Sequence, residues 1–133
     1  MTAYVPTEGN VIIGDQVFKN VTTDRGTNLY LGLFTNSSVS GSTTMSAITQ
    51  PTGTGYAEFV LTDASWTDTS GVLTYAPQTF TAGAGGWTGS VYGYYIRTNG
   101  TTHRLLCLET DGSGPFTFAS GDTYAITPSI TIA

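Results

Sequence analysis

Residues that could carry out chemistry are few and widely separated in this sequence. His103 is its only histidine and Cys107 its only cysteine. Acid–base catalysis needs a titratable group within hydrogen-bond reach of a second functional group, and nucleophilic catalysis needs an activating base beside the nucleophile. No motif gives His103 a serine or cysteine partner. We therefore predict a structural histidine, a buried structural thiol and no catalytic residue.

The carboxylates occur singly in segments rich in Gly, Ser and Thr, at Asp63, Asp68, Asp111 and Asp122. A calcium site needs several oxygens that converge within one loop, whereas each of these segments offers one carboxylate. Aspartates in such positions usually brace the turn backbone through their side-chain oxygens. No zinc, redox or phosphate motif is present, and we predict neither a metal site nor a cofactor.

Composition favours one folded core and argues against a nucleic-acid partner. The chain has 133 residues, of which 39% are hydrophobic and only 10% charged, against roughly 25% charged in ordinary soluble domains. Four basic residues and a net charge of −5 are unsuited to binding a polyanion. Lys and Glu are depleted in assembly interfaces, so a surface of small uncharged residues suits a protein partly covered by neighbours.

The sequence offers no sign of a membrane partner. Its first ten residues lack the basic start and apolar run of a secretory signal, and no stretch approaches the roughly 20 apolar residues of a membrane span. We expect a protein made in the cytoplasm, with residues 1–133 forming a single domain and residues 1–7 an N-terminal arm.

The segment Ser90–Glu109 predicts a long β-hairpin, because two apolar runs flank Asn99-Gly100, a favoured type I′ turn. A two-residue turn pairs Ile96 with His103 and Tyr94 with Leu105. Side chains alternate between faces, which gives an apolar face predicted to lie in the core: Tyr92, Tyr94, Ile96, His103, Leu105 and Cys107.

The other face of this hairpin is mixed, and we predict that it meets solvent or a partner. The same register places Tyr95 over Arg104 as a cation–π pair and puts Arg97 beside them. Tyr95, Arg97 and Arg104 are therefore predicted interface residues.

Segment Glu8–Val21 has two interpretations. Val11, Ile12 and Ile13 could open a strand, whereas Ile13, Val17 and Val21, spaced by four, favour a short helix interrupted by Gly14. We favour the helix. Asn28–Phe34 alternates leucine with other apolar residues and predicts a strand buried on both faces.

A long loop from Thr35 to Thr54 consists mostly of small polar residues. Loops of this length in a compact domain are often binding elements, although a merely solvated connection is an equal alternative. Val39, Met45 and Ile48 are isolated apolar residues within it, for which a monomer surface has little use. They complete the predicted interface.

Short strands separated by turn signals roughly every ten residues follow this loop. We predict an all-β fold, an antiparallel β-sandwich of the jelly-roll type with about eight strands, with a possible short N-terminal helix. Trp87, in a glycine-rich connection, is either a core anchor or an exposed contact residue, and its large area favours the core.

Several segments together resemble small tailed-bacteriophage virion proteins, namely capsid decoration or cement proteins of the β-sandwich and jelly-roll type. The resemblance rests on residues 28–36 (NLYLGLFTN), Pro51, Gly55-Tyr-Ala57, Leu61, Trp66, Phe80-Thr-Ala82-Gly83, Val91-Tyr-Gly-Tyr-Tyr95, and Gly121-Asp122 ahead of Ile126-Thr-Pro128. These are fold signatures without chemistry. In such proteins the segment before the first strand often reads as a helix; Gly14 is a departure.

The resemblance implies a structural protein on the capsid surface of a virion, made in the host bacterium. Its expected partners are the major capsid protein and further copies of itself, as a homodimer or homotrimer. The alternative is a tail-fibre or baseplate module that binds host carbohydrate by stacking sugars on exposed aromatics such as Trp87 or Tyr95.

Overall fold

The structure is a computed structural model, and it describes residues 3–131. One α-helix precedes the strands, and two short 3₁₀ helices, Met45–Ala47 and Asp63–Ser65, lie between strands. The regular elements are α1 (Thr7–Lys19), β1 (Leu29–Phe34), β2 (Thr52–Gly53), β3 (Phe59–Leu61), β4 (Thr67–Thr69), β5 (Val72–Thr74), β6 (Gln78–Thr81), β7 (Trp87–Thr88), β8 (Gly93–Arg97), β9 (Leu105–Thr110), β10 (Thr123–Ile126) and β11 (Ser129–Thr131).

The strands form antiparallel sheets in a sandwich-like arrangement, which confirms the predicted fold class. The largest sheet has the order β3-β1-β8-β9, a second has the order β11-β5-β4, and β10-β6 and β2-β7 form pairs. The described part of the chain has eleven strands, whereas turn spacing predicts about eight. The number is larger because several strands are only two or three residues long.

Two hydrophobic cores lie on opposite sides of the four-stranded sheet. Leu31 and Leu33 of β1 face the larger core, whereas Phe34 joins a smaller one. The prediction that this strand is buried on both faces is confirmed. Trp87 also lies in the larger core, 8% exposed, and its Nε1 donates to the Thr54 carbonyl at 3.1 Å, as its large apolar area predicts.

The predicted hairpin exists, but its register is wrong. β8 and β9 pair antiparallel, with Tyr95 opposite Leu108 and Ile96 opposite Cys107. Residues 98–104 connect them in place of the two-residue Asn99-Gly100 turn. The connection is long because its backbone has other partners: the N–H groups of Asn99 and Thr101 donate to carbonyls in segment 23–25 at 3.2 and 2.9 Å.

Gly100 serves a close backbone approach rather than a tight turn. A Cβ at this position would lie 2.2 Å from the Thr23 carbonyl oxygen. His103 is exposed within the same connection and does not pack on the apolar face beside Ile96. Its predicted position in the core is therefore wrong.

A bulge between Ile96 and Arg97 shifts the last pair of the hairpin. Leu105 consequently joins Tyr95 and Leu108 in the smaller core, whereas Tyr94 belongs to the larger one. The predicted contact between Tyr94 and Leu105 is not formed, since the two side chains lie on opposite faces of the sheet.

The helical interpretation of the N-terminal segment is confirmed, with α1 ending two residues before the predicted boundary at Val21. The predicted arm is only partly within the described residues, since residues 1 and 2 lie outside them. Tyr4 exchanges two backbone hydrogen bonds with Leu108, and Pro6 is buried. This part of the arm is therefore an additional edge of the protein's own sheet.

Candidate functional site

Helix α1 exposes apolar side chains that the core does not use. Val11 is 56% exposed, Val17 70% and Phe18 87%. Val11, Gly14 and Phe18 share one face because residues three, four and seven apart lie one above another on a helix, and Val17 flanks that face. We call Val11, Gly14, Val17 and Phe18 the α1 ridge.

The opposite face of α1 is fixed against the four-stranded sheet. Ile12 is buried, and Gly9 approaches β9 so closely that a Cβ there would lie 2.3 Å from the Leu106 carbonyl oxygen. These contacts fix the rotation of the helix about its axis. The ridge therefore points to solvent as a consequence of how α1 docks.

Glu8 anchors the first turn of α1 to two other segments. Its carboxylate accepts hydrogen bonds from the backbone N–H of Met45 at 2.8 Å and of Leu105 at 2.7 Å, and from Arg104 Nη1 at 3.3 Å. Only 11% of the Glu8 side chain is exposed. The helix that carries the ridge is thus fixed to the rest of the protein at its first turn.

An apolar cavity of about 270 Å³ opens beside α1. Ile13 of the helix, Leu106 and Cys107 of β9, and Trp66 contribute to its lining. The indole Nε1 of Trp66 is buried without a hydrogen-bond partner among the described residues. Burial raises the pKa of the Cys107 thiol to about 12, so this wall offers no thiolate at neutral pH.

Tyr95 and Arg97, both predicted interface residues, lie inside the molecule. Tyr95 is fully buried and Arg97 is 8% exposed. The Arg97 guanidinium binds both oxygens of Glu58, at 2.7 and 2.5 Å, and the Tyr95 hydroxyl donates to the same carboxylate at 2.6 Å. The expectation that this face meets solvent or a partner is therefore wrong, because Glu58 and the long loop cover it.

The predicted cation–π pair of Tyr95 with Arg104 is also absent. Arg97 takes that role instead, with its guanidinium carbon 4.6 Å from the centroid of the Tyr30 ring. Arg104 is a surface residue, with 40% of its side chain exposed, and pairs with Asp24 at 3.0 Å as well as with Glu8. Of the three hairpin residues predicted at an interface, Arg104 alone is accessible.

Val39, Met45 and Ile48 have a use within the protein itself. All three are half-buried and pack against the smaller core. The argument that a monomer surface would have little use for them is therefore wrong. The loop that carries them is ordered by Glu8 and by a hydrogen bond from Thr7 N–H to the Gly41 carbonyl at 2.8 Å.

The carboxylates predicted to brace turns do so at three of the four positions. Asp68 accepts from Gly71 N–H and Asp111 from Ser113 N–H, both at 2.9 Å, and Asp122 accepts from Ala119 N–H at 2.8 Å. Asp63 instead forms an ion pair with Arg25 at 2.8 Å. The carboxylates of Asp68, Asp111 and Asp122 therefore stabilise the backbone of surface turns.

Tyrosine hydroxyls are among the interior groups whose pKa is raised. Burial raises the pKa of Tyr56 to about 12, and burial together with the hydrogen bond to Glu109 raises the pKa of Tyr94. Both hydroxyls are thereby held in the neutral form. Among residues 3–131, no group of three or more His, Cys, Asp or Glu side chains is placed to hold a metal ion.

Sequence reasoning missed the α1 ridge. The spacing of Ile13, Val17 and Val21 correctly predicted a helix, but it did not say which face of that helix would be exposed. The available signal was Phe18, seven residues after Val11 and on the opposite side from Gly9 and Ile12. Two apolar faces on one short helix indicate a second contact besides the core.

Comparison with known proteins identifies no relative: no protein family, curated protein or solved structure matches this chain. Within residues 3–131, none of the helices has the length and apolar character needed to cross a membrane.

Proposed function

We propose that this chain is a structural protein of a bacteriophage virion, which binds the outside of the capsid shell and stabilises it. The observation that carries the proposal is the α1 ridge, where Phe18 is 87% exposed on a firmly docked helix. Contiguous apolar surface rimmed by polar residues marks protein-contact sites. The identification of the shell as the target rests on the sequence resemblance to decoration proteins.

The use of polar groups supports a structural role. The Glu58 carboxylate is occupied by Arg97 and Tyr95, and Glu8 is occupied by backbone N–H groups of the loop and of β9. Carboxylates that are bonded within the protein stabilise the fold and are not free to bind a substrate. The described residues thus present a rigid contact surface rather than a reaction centre.

The stabilising effect on a shell would come from multivalency. A folded module that bridges neighbouring major capsid proteins buries surface at several places at once, so weak individual contacts add to a high total affinity. The α1 ridge contacts another chain of the decorated particle, either the capsid protein or a second copy of this protein.

The carbohydrate-binding alternative loses the two aromatic side chains that were named for it. It required an exposed aromatic platform at Trp87 or Tyr95, and both are buried. The remaining tyrosines and Trp66 are also at least partly buried, and none is fully exposed. Sugar stacking needs an open aromatic face, and among the described aromatic side chains Phe18 alone is exposed, as part of the apolar α1 ridge.

Co-sedimentation with empty capsid shells tests the proposed function. We expect the wild-type protein to bind shells saturably, and Phe18→Ser to weaken this binding at least about tenfold, because truncating a hot-spot residue at the centre of an interface costs about 2 kcal/mol or more. Val60→Ser is the matched control, since Val60 is 44% exposed on β3, outside the ridge. Equal binding by both variants, or no binding by wild type, would contradict the proposal.

A further inference from the structure

Neither the backbone conformation nor the packing of the isolated molecule requires a glycine at position 14. It lies in the middle of α1, where glycine is among the least favourable residues. A Cβ added at Gly14 would meet no atom within 4 Å, in contrast to Gly9, which β9 requires. Its backbone is not among the positive-φ positions. A glycine that neither the helix nor its own core requires suggests close approach from outside.

The ridge is symmetric in sequence about this glycine. Val11 lies three residues before Gly14 and Phe18 lies four residues after it. If two α1 helices cross antiparallel near Gly14, Phe18 of each copy faces Val11 of the other. The glycine then lies at the crossing point, where a missing side chain allows the two backbones to approach closely.

We propose that the α1 ridge is a two-fold contact with a second copy of this chain, formed by antiparallel packing of α1 on α1 across Gly14. The same patch on both subunits makes the contact isologous and closed, which gives a dimer rather than a filament. The inference deepens the proposed function, on which it rests in taking the ridge as a protein-contact surface.

The charges around the ridge favour a copy over a charged partner. The outward-facing charges of α1 are Asp15 and Lys19, and they neutralise each other through an ion pair of 2.9 Å. Glu8 is turned inward and is already bonded. No unpaired charge on α1 would repel a second α1 or select an oppositely charged surface.

Sedimentation equilibrium on the free protein, without shells, measures the association directly. We expect a dimer of twice the 14.0 kDa chain mass. Gly14→Leu should weaken association roughly tenfold or more by separating the helices. The smaller change Gly14→Ala places its methyl group in open space in the monomer, so it should raise the melting temperature while weakening association. Unchanged association in both variants, or a monomeric wild-type protein, would overturn the proposal.

Cysteine cross-linking tests the antiparallel orientation. Val11→Cys and Phe18→Cys proteins, mixed and mildly oxidised, should form the mixed disulfide much faster than either forms a disulfide with itself. The native Cys107 is fully buried and will not compete. Val60→Cys, exposed outside the ridge, should cross-link with neither. Dominant pairing of 11 with 11 or 18 with 18 would contradict the antiparallel arrangement.

These measurements separate the inference from the proposed function. A dimer in solution that fails to bind shells would retain the inference and reject the shell-binding role. A monomer in solution that binds shells through Phe18 would retain that role and assign the ridge to the capsid protein.

Discussion

At the scale of single residues, the buried charged side chains of this protein are paired with other side chains. Arg97 is held by both oxygens of Glu58, and Tyr94 donates its hydroxyl to Glu109, which is itself buried. Removing one partner from such a pair leaves an uncompensated buried group, which is costly. Cys107, also fully buried, is held as the neutral thiol because desolvation disfavours its charged form.

The raised pKa of Cys107 predicts a loss of stability at alkaline pH. In the unfolded chain the thiol ionises near pH 8.5, whereas in the folded protein its pKa is about 12. The contribution of the neutral thiol to stability is complete below the pKa of the unfolded chain. It is lost as the pH rises towards the pKa of the folded protein. Between about pH 8.5 and 10, this group should make stability fall with a slope that rises to about 1.4 kcal/mol per pH unit.

Denaturant unfolding at several pH values measures this slope. Cys107→Ala should be less stable at neutral pH, since it leaves a cavity, but its stability should decline less steeply between about pH 8.5 and 10. Above that range tyrosines that are partly or wholly buried, including Tyr56, contribute in both proteins. Parallel curves for the variant and the wild type would show that Cys107 does not cause the alkaline loss.

At the scale of elements, Glu8 links three segments that are far apart in sequence. Its carboxylate joins the first turn of α1 to the loop at Met45 and to the start of β9 at Leu105. Through this link, the loop that covers the smaller core and the helix that carries the ridge become one rigid surface. The loop is thereby a structural cover, which Glu8 and the hydrogen bond from Thr7 N–H to the Gly41 carbonyl hold on the protein.

We expect Glu8→Ala to destabilise the protein by about 2–4 kcal/mol, because it leaves the Met45 and Leu105 N–H groups without their acceptor. Hydrogen exchange at the amides of Met45 and Leu105 should accelerate more than exchange in β1. Asp15→Ala is the control on the same helix, and it should leave stability nearly unchanged, since the Asp15–Lys19 pair is on the surface. Equal losses in the two variants would contradict the anchoring role of Glu8.

At the scale of the whole molecule, the surface combines low charge with one apolar ridge. The net charge of −5 opposes the approach of copies at long range, whereas the contact at α1 is apolar and non-directional. Such a chain can associate without a network of ion pairs. A dimer would present two identical outer surfaces to a shell, which raises avidity without new contacts.

Salt dependence tests this balance. Raising ionic strength from about 0.01 M to about 0.15 M shortens the Debye length from about 30 Å to about 8 Å. We expect association between free copies to strengthen, because repulsion is screened while apolar contact is preserved. Sedimentation equilibrium at the two ionic strengths measures the change, with Val60→Ser as a control that should respond as wild type does. Association that weakens with salt would indicate an interface based on ion pairs instead.

Local pattern predicted much of the fold. The leucine alternation of β1, the helix at residues 7–19 and the braced turns at Asp68, Asp111 and Asp122 follow from interactions within a few residues. The hairpin register did not follow, because the backbone of segment 23–25 competes for the N–H groups near Asn99. That competitor lies far away along the chain, so no local turn rule includes it.

Periodicity and composition were enough to predict an antiparallel β-fold with an N-terminal helix and few charges, because both are properties of neighbouring residues. Which apolar and charged side chains face outward depends on the packing of distant segments. Arg97 is buried because Glu58, 39 residues away, reaches it, and the loop residue Val39 packs inward on the smaller core. Phe18 is exposed because Gly9 and Ile12 dock the other face of α1 on β9. Those outcomes depend on long-range packing, which no local pattern encodes.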